Sequence, residues 1–260
     1  MDYKIVKYPR TQHLEGSRLG PGDEDLDQIP FSDIFGRHIV IEEKIDGANS
    51  AVSFDGDGKL LLQSRGHYLD GGYRERHYNL FKQWGNNHCD ELFDVLGSRY
   101  IMYGEWLYAK HTVFYDALPD YFMEFDIYDR ETATFLDTPR RREMTARLPF
   151  VSSVPVLSEG VYRSKKPILD LIGRSLYITD NHLEALRALA IKHGLDPERQ
   201  IRETDPSMLA EGLYIKVEED GVVKERLKFV RASFLQCVMS SQSHWQSRPI
   251  VPNLLAGRES

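Results

Sequence analysis

Lys44 heads a short run, Lys44-Ile45-Asp46-Gly47-Ala48-Asn49, in which an amine is followed at once by a turn-forming Asp-Gly pair. An ammonium has no lone pair, and the free lysine pKa is about 10.4, so such an amine becomes a nucleophile only after losing a proton. Nearby positive charge depresses that pKa, and Lys216, Arg226, Lys228 and a divalent metal are the candidates for supplying it. Arg65, Glu105, Phe125 and Glu211 stand on or beside segments that read as strands. A carboxylate such as Glu105 suits a ribose, an aromatic such as Phe125 suits a base, and the cations suit triphosphate oxygens. Glu211 suits magnesium or manganese, held directly or through water. Together these groups fit covalent capture of a nucleotide by an amine, in which most of the work is positioning and charge neutralisation. Each also has a plainer reading taken alone. Asp-Gly is a common hairpin turn with Lys44 at its surface, Glu105 a solvated strand end, Phe125 core, and Asp46 a cap on its own turn.

The elements that must hold these residues follow from periodicity. Apolar residues alternate through Ile39, Ile41 and Ile45, then Val52 and Phe54, then Leu60 and Leu62. That period of two predicts three short strands within His38 to Arg65, joined at Asp46-Gly47 and at Asp55-Gly56-Asp57-Gly58. Helical spacing follows in Tyr73 to Trp84 and Cys89 to Leu96. Strands are predicted over Tyr100 to Tyr108 and Tyr121 to Tyr128, and a helix from Thr138 with Pro139 in its first turn. Val151 to Leu157 reads as extended. Asp180 is placed to cap a helix running to His193 and closed by Gly194, with Leu183, Leu186, Leu189 and Ile191 inward. Gly212 to Val217 and Val222 to Phe229 form a hairpin across Glu219-Asp220-Gly221, before a closing helix over Ala232 to Met239. The pattern is mixed α+β, built on antiparallel sheets with flanking helices.

Residues 1–37 read as an irregular lead-in with a short helix near Phe31 to Phe35, and 232–260 as a short C-terminal helix and tail. In the lead-in, His13, Ser17 and Arg18 either reach a phosphate or belong to an ordinary solvated loop. With no linker or repeat in its 260 residues, the chain is expected to be one domain. A net charge of -7 argues against coating nucleic acid through bulk positive charge, but not against a local basic cluster. No stretch of about 18 apolar residues or secretory leader is evident, and the two cysteines, Cys89 and Cys237, have no metal-knuckle spacing. A reduced, cytoplasmic setting without membrane contact is expected.

The order of the motifs resembles that of the covalent nucleotidyltransferase superfamily of DNA ligases, RNA ligases and capping enzymes, and most closely the RNA ligase 2-like branch. Lys44 to Asn49 is similar to the nucleophile motif K-x-D/H-G-x-N, and Ser64-Arg65-Gly66 to the motif after it. Tyr103-Gly104-Glu105-Trp106 resembles the motif with the ribose-binding glutamate, and Glu124 to Tyr128 the one whose aromatic, here Phe125, stacks on adenine. Glu211 to Lys216 resembles E-G-x-x-x-K, and Arg226-Leu227-Lys228 stands where K-x-K is usual. Arg226 departs from that pattern, since a planar guanidinium binds phosphate as a fork rather than a point charge.

The resemblance implies an ATP-grasp-like nucleotidyltransferase catalytic domain. Lys44, Glu211 and Lys228 would be catalytic, with Glu211 as the metal ligand. Glu43, Ile45, Asn49, Arg65, Glu105, Phe125, Lys216 and Arg226 would join Lys44 and Lys228 around ATP. The implied reaction joins RNA 3′-hydroxyl and 5′-phosphate ends through a lysyl-AMP intermediate, in RNA repair; a separate end-healing kinase-phosphatase is a candidate partner that the sequence itself does not specify. An ATP-dependent DNA ligase, or a non-catalytic nucleotide- or RNA-binding relative, are the alternatives. About 30 residues follow Lys228, too few for the five-stranded oligonucleotide-fold barrel that DNA ligases carry there; a catalytic domain without that barrel is expected.

Overall fold

The computed structural model describes residues 4–20, 22, 23, 25–240 and 248–257. Strands β1 (Gln12–Leu14) and β2 (Gln28–Ile29) come first, followed by a 3-10 turn at Phe31–Ile34. The predicted trio is present as β3 (His38–Lys44), β4 (Ala48–Phe54) and β5 (Leu60–Ser64). A 3-10 turn (Tyr73–Tyr78) leads into α1 (Asn79–Asn87) and α2 (Cys89–Leu96). Next come β6 (Tyr100–Trp106), β7 (Phe122–Asp129), β8 (Thr134–Leu136) and α3 (Thr138–Thr145). Then follow β9 (Ser152–Ser153), β10 (Val156–Val161), α4 (Lys166–Leu169), α5 (His182–Lys192) and α6 (Pro197–Arg202). β11 (Gly212–Glu219), β12 (Val222–Val230) and α7 (Ala232–Ser240) complete the order.

The strands join in the order β10-β3-β11-β12-β8-β7-β6-β4-β5, with β1, β2 and β9 attached at the side. Pairing along that path is antiparallel, while β1 on β12, β1 on β2 and β9 on β7 are parallel. β3 and β4 are consecutive in sequence but do not pair, because β11, β12, β8, β7 and β6 lie between them. The Asp46-Gly47 turn is therefore no hairpin. It is the crossing from one half of the sheet to the other.

Each half has its own apolar cover. Val52, Phe54, Met102 and Phe122 pack with Phe81 of α1 and Leu92 of α2. Ile39, Ile41, Leu213 and Ile215 pack with Phe31, Ile34 and Ile168. Full burial of an Ile or Phe side chain is worth roughly 1.5–3 kcal/mol, so these two layers hold the halves in place. A third cluster, around Ile45, Leu107, Val113 and Tyr115, lies under the crossing turn. β11 and β12 do form the predicted hairpin, with positive φ at Asp220 (55°) and Gly221 (78°), which a tight primed turn needs.

Four expectations are corrected. The lead-in around His13 and Ser17 is not a solvated loop: both side chains are buried, because β1 adds to the edge of β12. Asp180 does not cap α5. Asn181 precedes that helix without a side-chain cap, and Asp180 pairs with Arg174 at 2.8 Å. Ile191 faces solvent at 63% exposure, since the inward stripe of α5 runs through Leu186, Leu189 and Ala190 instead. Residues 248–257 are not a loose tail, for Val251 and Asn253 are buried and Ala109 bridges Pro252, while 241–247 and 258–260 lie outside the described residues.

Candidate active site

Lys44 closes β3, and the turn after it is fixed from outside. Asp46 Oδ2 accepts hydrogen bonds from the backbone amides of Thr112 and Val113, both at 2.8 Å. The Asp46 amide donates to the Tyr115 hydroxyl, also at 2.8 Å. Asp46 thus ties the turn to a distant loop rather than capping it. Gly47 is demanded by close approach: a Cβ there would lie 2.6 Å from Leu107 Cδ2 and 2.9 Å from the Trp106 carbonyl oxygen. The turn is pressed against the end of β6, the strand that carries Glu105.

Lys44 Nζ donates to Glu211 Oε2 at 2.9 Å. The contact follows from register, because Gly212 lies opposite Lys44 across β3 and β11. A Cβ at Gly212 would fall 1.9 Å from the Phe229 carbonyl oxygen, so a glycine is needed beside the functional carboxylate. Across the other sheet half, Asn49 stands opposite Glu105.

Charge is unevenly balanced here. Burial pulls the Lys44 ammonium down, but the carboxylates of Glu211 and Glu105 outweigh it and hold its pKa above the ordinary lysine value. Burial pushes Glu105 up to about 8 and Glu211 up to about 7, against the pull of Lys44. The expectation that neighbouring cations depress Lys44 is therefore reversed in the protein alone. The reason is geometric: two of the three expected cations face elsewhere. Lys216 is buried against Glu42 (2.9 Å) and Asp126 (3.0 Å), and Arg226 pairs with Asp126 at 3.1 Å while lying over the Phe135 ring. Burial lowers the Lys228 pKa, and its ammonium pairs with Asp23 at 2.5 Å.

These groups surround a cavity of about 1490 Å³ lined from both sheet halves. Common ligand sites are roughly 300–1,000 Å³, so a nucleotide would leave part of it unfilled. Lys44, Asn49, Arg65, Glu105, Phe125 and Lys228 all line it. Glu43 and Ile45 also line it, although the Glu43 carboxylate accepts from the Leu176 amide at 3.3 Å and Ile45 packs its side chain into the third core cluster. Glu211 pairs with Lys44, Lys216 donates to the Phe125 carbonyl and Arg226 pairs with Asp126, and none of the three is among the lining residues. Arg65 is exposed at the rim and makes no ion pair among the described residues.

Several lining residues escaped the sequence reading. Tyr8 and Thr11 come from the irregular lead-in, where no periodicity marks them. The Tyr8 hydroxyl lies 2.6 Å from that of Tyr214, and the Tyr8 ring meets Phe125 edge-on at 5.2 Å. Tyr214 could have been found, since on a strand it shares a face with Lys216 two residues on. His67, Glu75 and Tyr78 line the part of the cavity beyond Arg65.

Among the described residues no three histidine, cysteine or carboxylate side chains converge as a metal cage. The donor set still suits a divalent ion shared with phosphate oxygens and water, for Glu105 and Glu211 are two carboxylates with raised pKa values facing one ammonium.

A lysine at a sheet crossing, backed by carboxylates at the mouth of a cavity between two antiparallel halves, defines a nucleotidyltransferase-type catalytic domain. The chain belongs to the RNA ligase family, whose model matches residues 37–230. Among solved structures it is similar to variants of the Naegleria gruberi RNA ligase. One, with AMP and Mn, has 18% identity and a TM-score of 0.54, covering 89% of this chain and 57% of that one. Two others, with ATP and Mn, have 19% and 18% identity and TM-scores of 0.53 and 0.52, covering 89% and 78% of this chain. The chain thus spans between 52% and 58% of the length of those proteins, and the likeness establishes the fold. No curated protein sequence matches.

Proposed function

We propose that the protein is an ATP-dependent RNA ligase that joins 3′-hydroxyl and 5′-phosphate ends through a lysyl-AMP intermediate on Lys44. The reading rests on one observation above the rest: Lys44 Nζ, paired with Glu211, opens into the cavity that Glu105, Phe125, Arg65 and Lys228 also line. In the first step the Lys44 lone pair attacks the α-phosphorus of ATP. An N–P bond forms, the bond to the bridging oxygen breaks, and pyrophosphate leaves. The ammonium proton has acceptors at hand, since Glu211 and Glu105 titrate at about 7 and 8. Phe125 covers the adenine, Glu105 and Asn49 hold the ribose side, and Lys228 neutralises phosphate charge. A magnesium or manganese ion held by Glu211 would supply charge stabilisation on the phosphate oxygens. Transfer of the ammonium proton to Glu105 or Glu211 leaves the Lys44 lone pair free to attack.

The AMP then passes to the 5′-phosphate of RNA, and the 3′-hydroxyl displaces it. Arg65 meets the incoming strand in this reading, which its exposure at the cavity rim and its lack of an ion pair among the described residues support. Such a reaction fits repair of broken RNA in the cytoplasm, with a separate kinase-phosphatase preparing the ends.

The test is incubation with α-labelled ATP and manganese, wild type against Lys44→Ala, followed by a sealing panel on nicked RNA, hybrid and DNA duplexes. The wild type should acquire label that survives denaturant and alkali and is released by acid, as a P–N bond requires. Absence of label, or equal labelling of Lys44→Ala, defeats the reading. Preference for DNA nicks would make the protein a DNA ligase, and label without sealing of any substrate would remove the joining activity from the proposal.

A further inference from the structure

A path of hydrogen bonds runs from the C-terminal segment to the turn that holds Lys44. Asn253 is fully buried, and its side-chain amide is spent on two backbone groups. Its Oδ1 accepts from the Tyr115 amide at 2.9 Å, and its Nδ2 donates to the Leu107 carbonyl at 2.7 Å. The backbone around it adds to the grip: the Asn253 amide donates to the Tyr108 carbonyl at 2.8 Å, and the Leu254 amide to that of Tyr115 at 2.9 Å. Asn253 therefore fixes both ends of the span 107–115. That span in turn supplies the hydrogen bonds that hold Asp46 of the nucleophile turn, and one of its packing contacts. Leu107 sits against Gly47, Thr112 and Val113 give two amides to the Asp46 carboxylate, and the Tyr115 hydroxyl accepts from the Asp46 amide.

We infer that Tyr115 and Asn253 are positioning residues for the nucleophile, and that the C-terminal segment sets the placement of Lys44 without touching the nucleotide. This rests on the proposed role of Lys44. The physical argument is that Lys44 leaves β3 directly into a turn with no hairpin partner, held instead through Asp46 by its bonds to this span. The ammonium sits at the end of a flexible four-carbon stem, so the turn decides where that stem starts. In-line attack at phosphorus is sensitive to displacements of the order of 1 Å, which can cost about a hundredfold in rate. Neither Tyr115 nor Asn253 lines the cavity. Their loss should therefore slow the covalent step while leaving nucleotide affinity alone.

The experiment is single-turnover adenylylation with labelled ATP over a range of ATP concentrations, on wild type, Tyr115→Phe, Asn253→Ala and Asn253→Asp. Tyr115→Phe removes only the hydroxyl that accepts from Asp46 and keeps the buried ring. It should lower the plateau rate about tenfold or more, with the half-saturating ATP concentration within about twofold of wild type. Asn253→Asp keeps an acceptor for the Tyr115 amide but loses the donor to the Leu107 carbonyl and buries a charge, so it should slow the plateau rate as Asn253→Ala does. Thermal melting is run alongside, so that Tyr115→Phe carries the test if Asn253→Ala does not fold. A plateau rate for Tyr115→Phe equal to wild type overturns the inference, as does a loss appearing entirely as weaker ATP binding. If the wild type itself takes no label, the proposed function fails instead, and the two failures are distinct.

Discussion

Lys216 lies 2.9 Å from Glu42 and 3.0 Å from Asp126, with 1% of its side chain exposed, although the motif places it among the nucleotide contacts. Arg141 joins the same buried group through Glu42 and Glu124, and Arg226 through Asp126. Three cations thus balance three carboxylates under Phe125. Removing one member of such a group leaves charge buried without compensation.

Lys216→Met is therefore expected to destabilise the protein by about 3–5 kcal/mol, the usual cost of breaking a buried pair from one side. Urea unfolding gives the number. The folded fraction should keep its half-saturating ATP concentration in the adenylylation assay. Weaker ATP binding at unchanged stability would instead place Lys216 on the nucleotide.

Gly212→Ala sets a Cβ 1.9 Å from the Phe229 carbonyl oxygen of the paired strand. Backbone cannot give way there without breaking the register that brings Glu211 to Lys44. The expected cost exceeds about 3 kcal/mol, the upper end for ordinary overpacking, and soluble yield should collapse. Gly66→Ala is the control, because among the described residues no atom beyond its chain neighbours lies within 4 Å of its added carbon and its φ is not positive. Its melting temperature should match wild type.

Adenylylation should accelerate as pH rises from 6 to 9. Glu211 and Glu105, at about 7 and 8, become able to take the Lys44 proton only as they ionise, and the raised Lys44 pKa pushes the same way. Stability runs the other way. Glu105 is raised from an ordinary 4.5, so the folded state holds a proton that the unfolded chain has lost. The stabilisation is complete below about 4.5 and disappears as pH climbs through 8. Relative to Glu105→Gln, wild type should lose melting temperature between pH 5 and pH 9. A rate independent of pH over that window would contradict the assigned proton acceptors.

The strands were legible because apolar residues recur at every second position between turn formers, although β3, β4 and β6 are buried on both faces. Among the motif residues Lys44 closes its strand, while Phe125, Lys216 and Arg226 lie inside theirs. What the chain order hid was partnership. Asp46-Gly47 has hairpin chemistry, yet Gly47 is glycine for contact with Leu107 and Trp106, and β3 finds its partners in β10 and β11. No local signal distinguishes those two uses of a glycine. Lys216 and Arg226 carry the right charge for phosphate, but alternation puts Tyr214, Lys216, Arg226 and Lys228 on one face without saying which of them open to the cavity. Burial by the lead-in decides that, and Tyr8 and Asp23 lie in a stretch with no periodicity to read. The C-terminal segment was equally silent, since Asn253 acts through backbone groups whose sequence leaves no trace.

The Asp23 carboxylate holds Lys228 at 2.5 Å, and it is the same ammonium that the proposed mechanism offers to phosphate. His13 lies 3.2 Å from Asp23, and Arg10 3.5 Å, so the carboxylate is well anchored and does not depend on Lys228 to stay in place. An incoming phosphate must therefore compete with it. Partly exposed pairs are worth about 0.2–1 kcal/mol, which corresponds to a change of roughly 1.5- to 5-fold in binding. Asp23→Asn keeps the shape and removes the charge, so the half-saturating ATP concentration for adenylylation should fall by that factor. Raising the salt concentration should narrow the gap between variant and wild type, because it weakens the wild-type pair as well as the phosphate contact. A rise in half-saturating ATP would mean that Asp23 aims Lys228 into the cavity instead of occupying it.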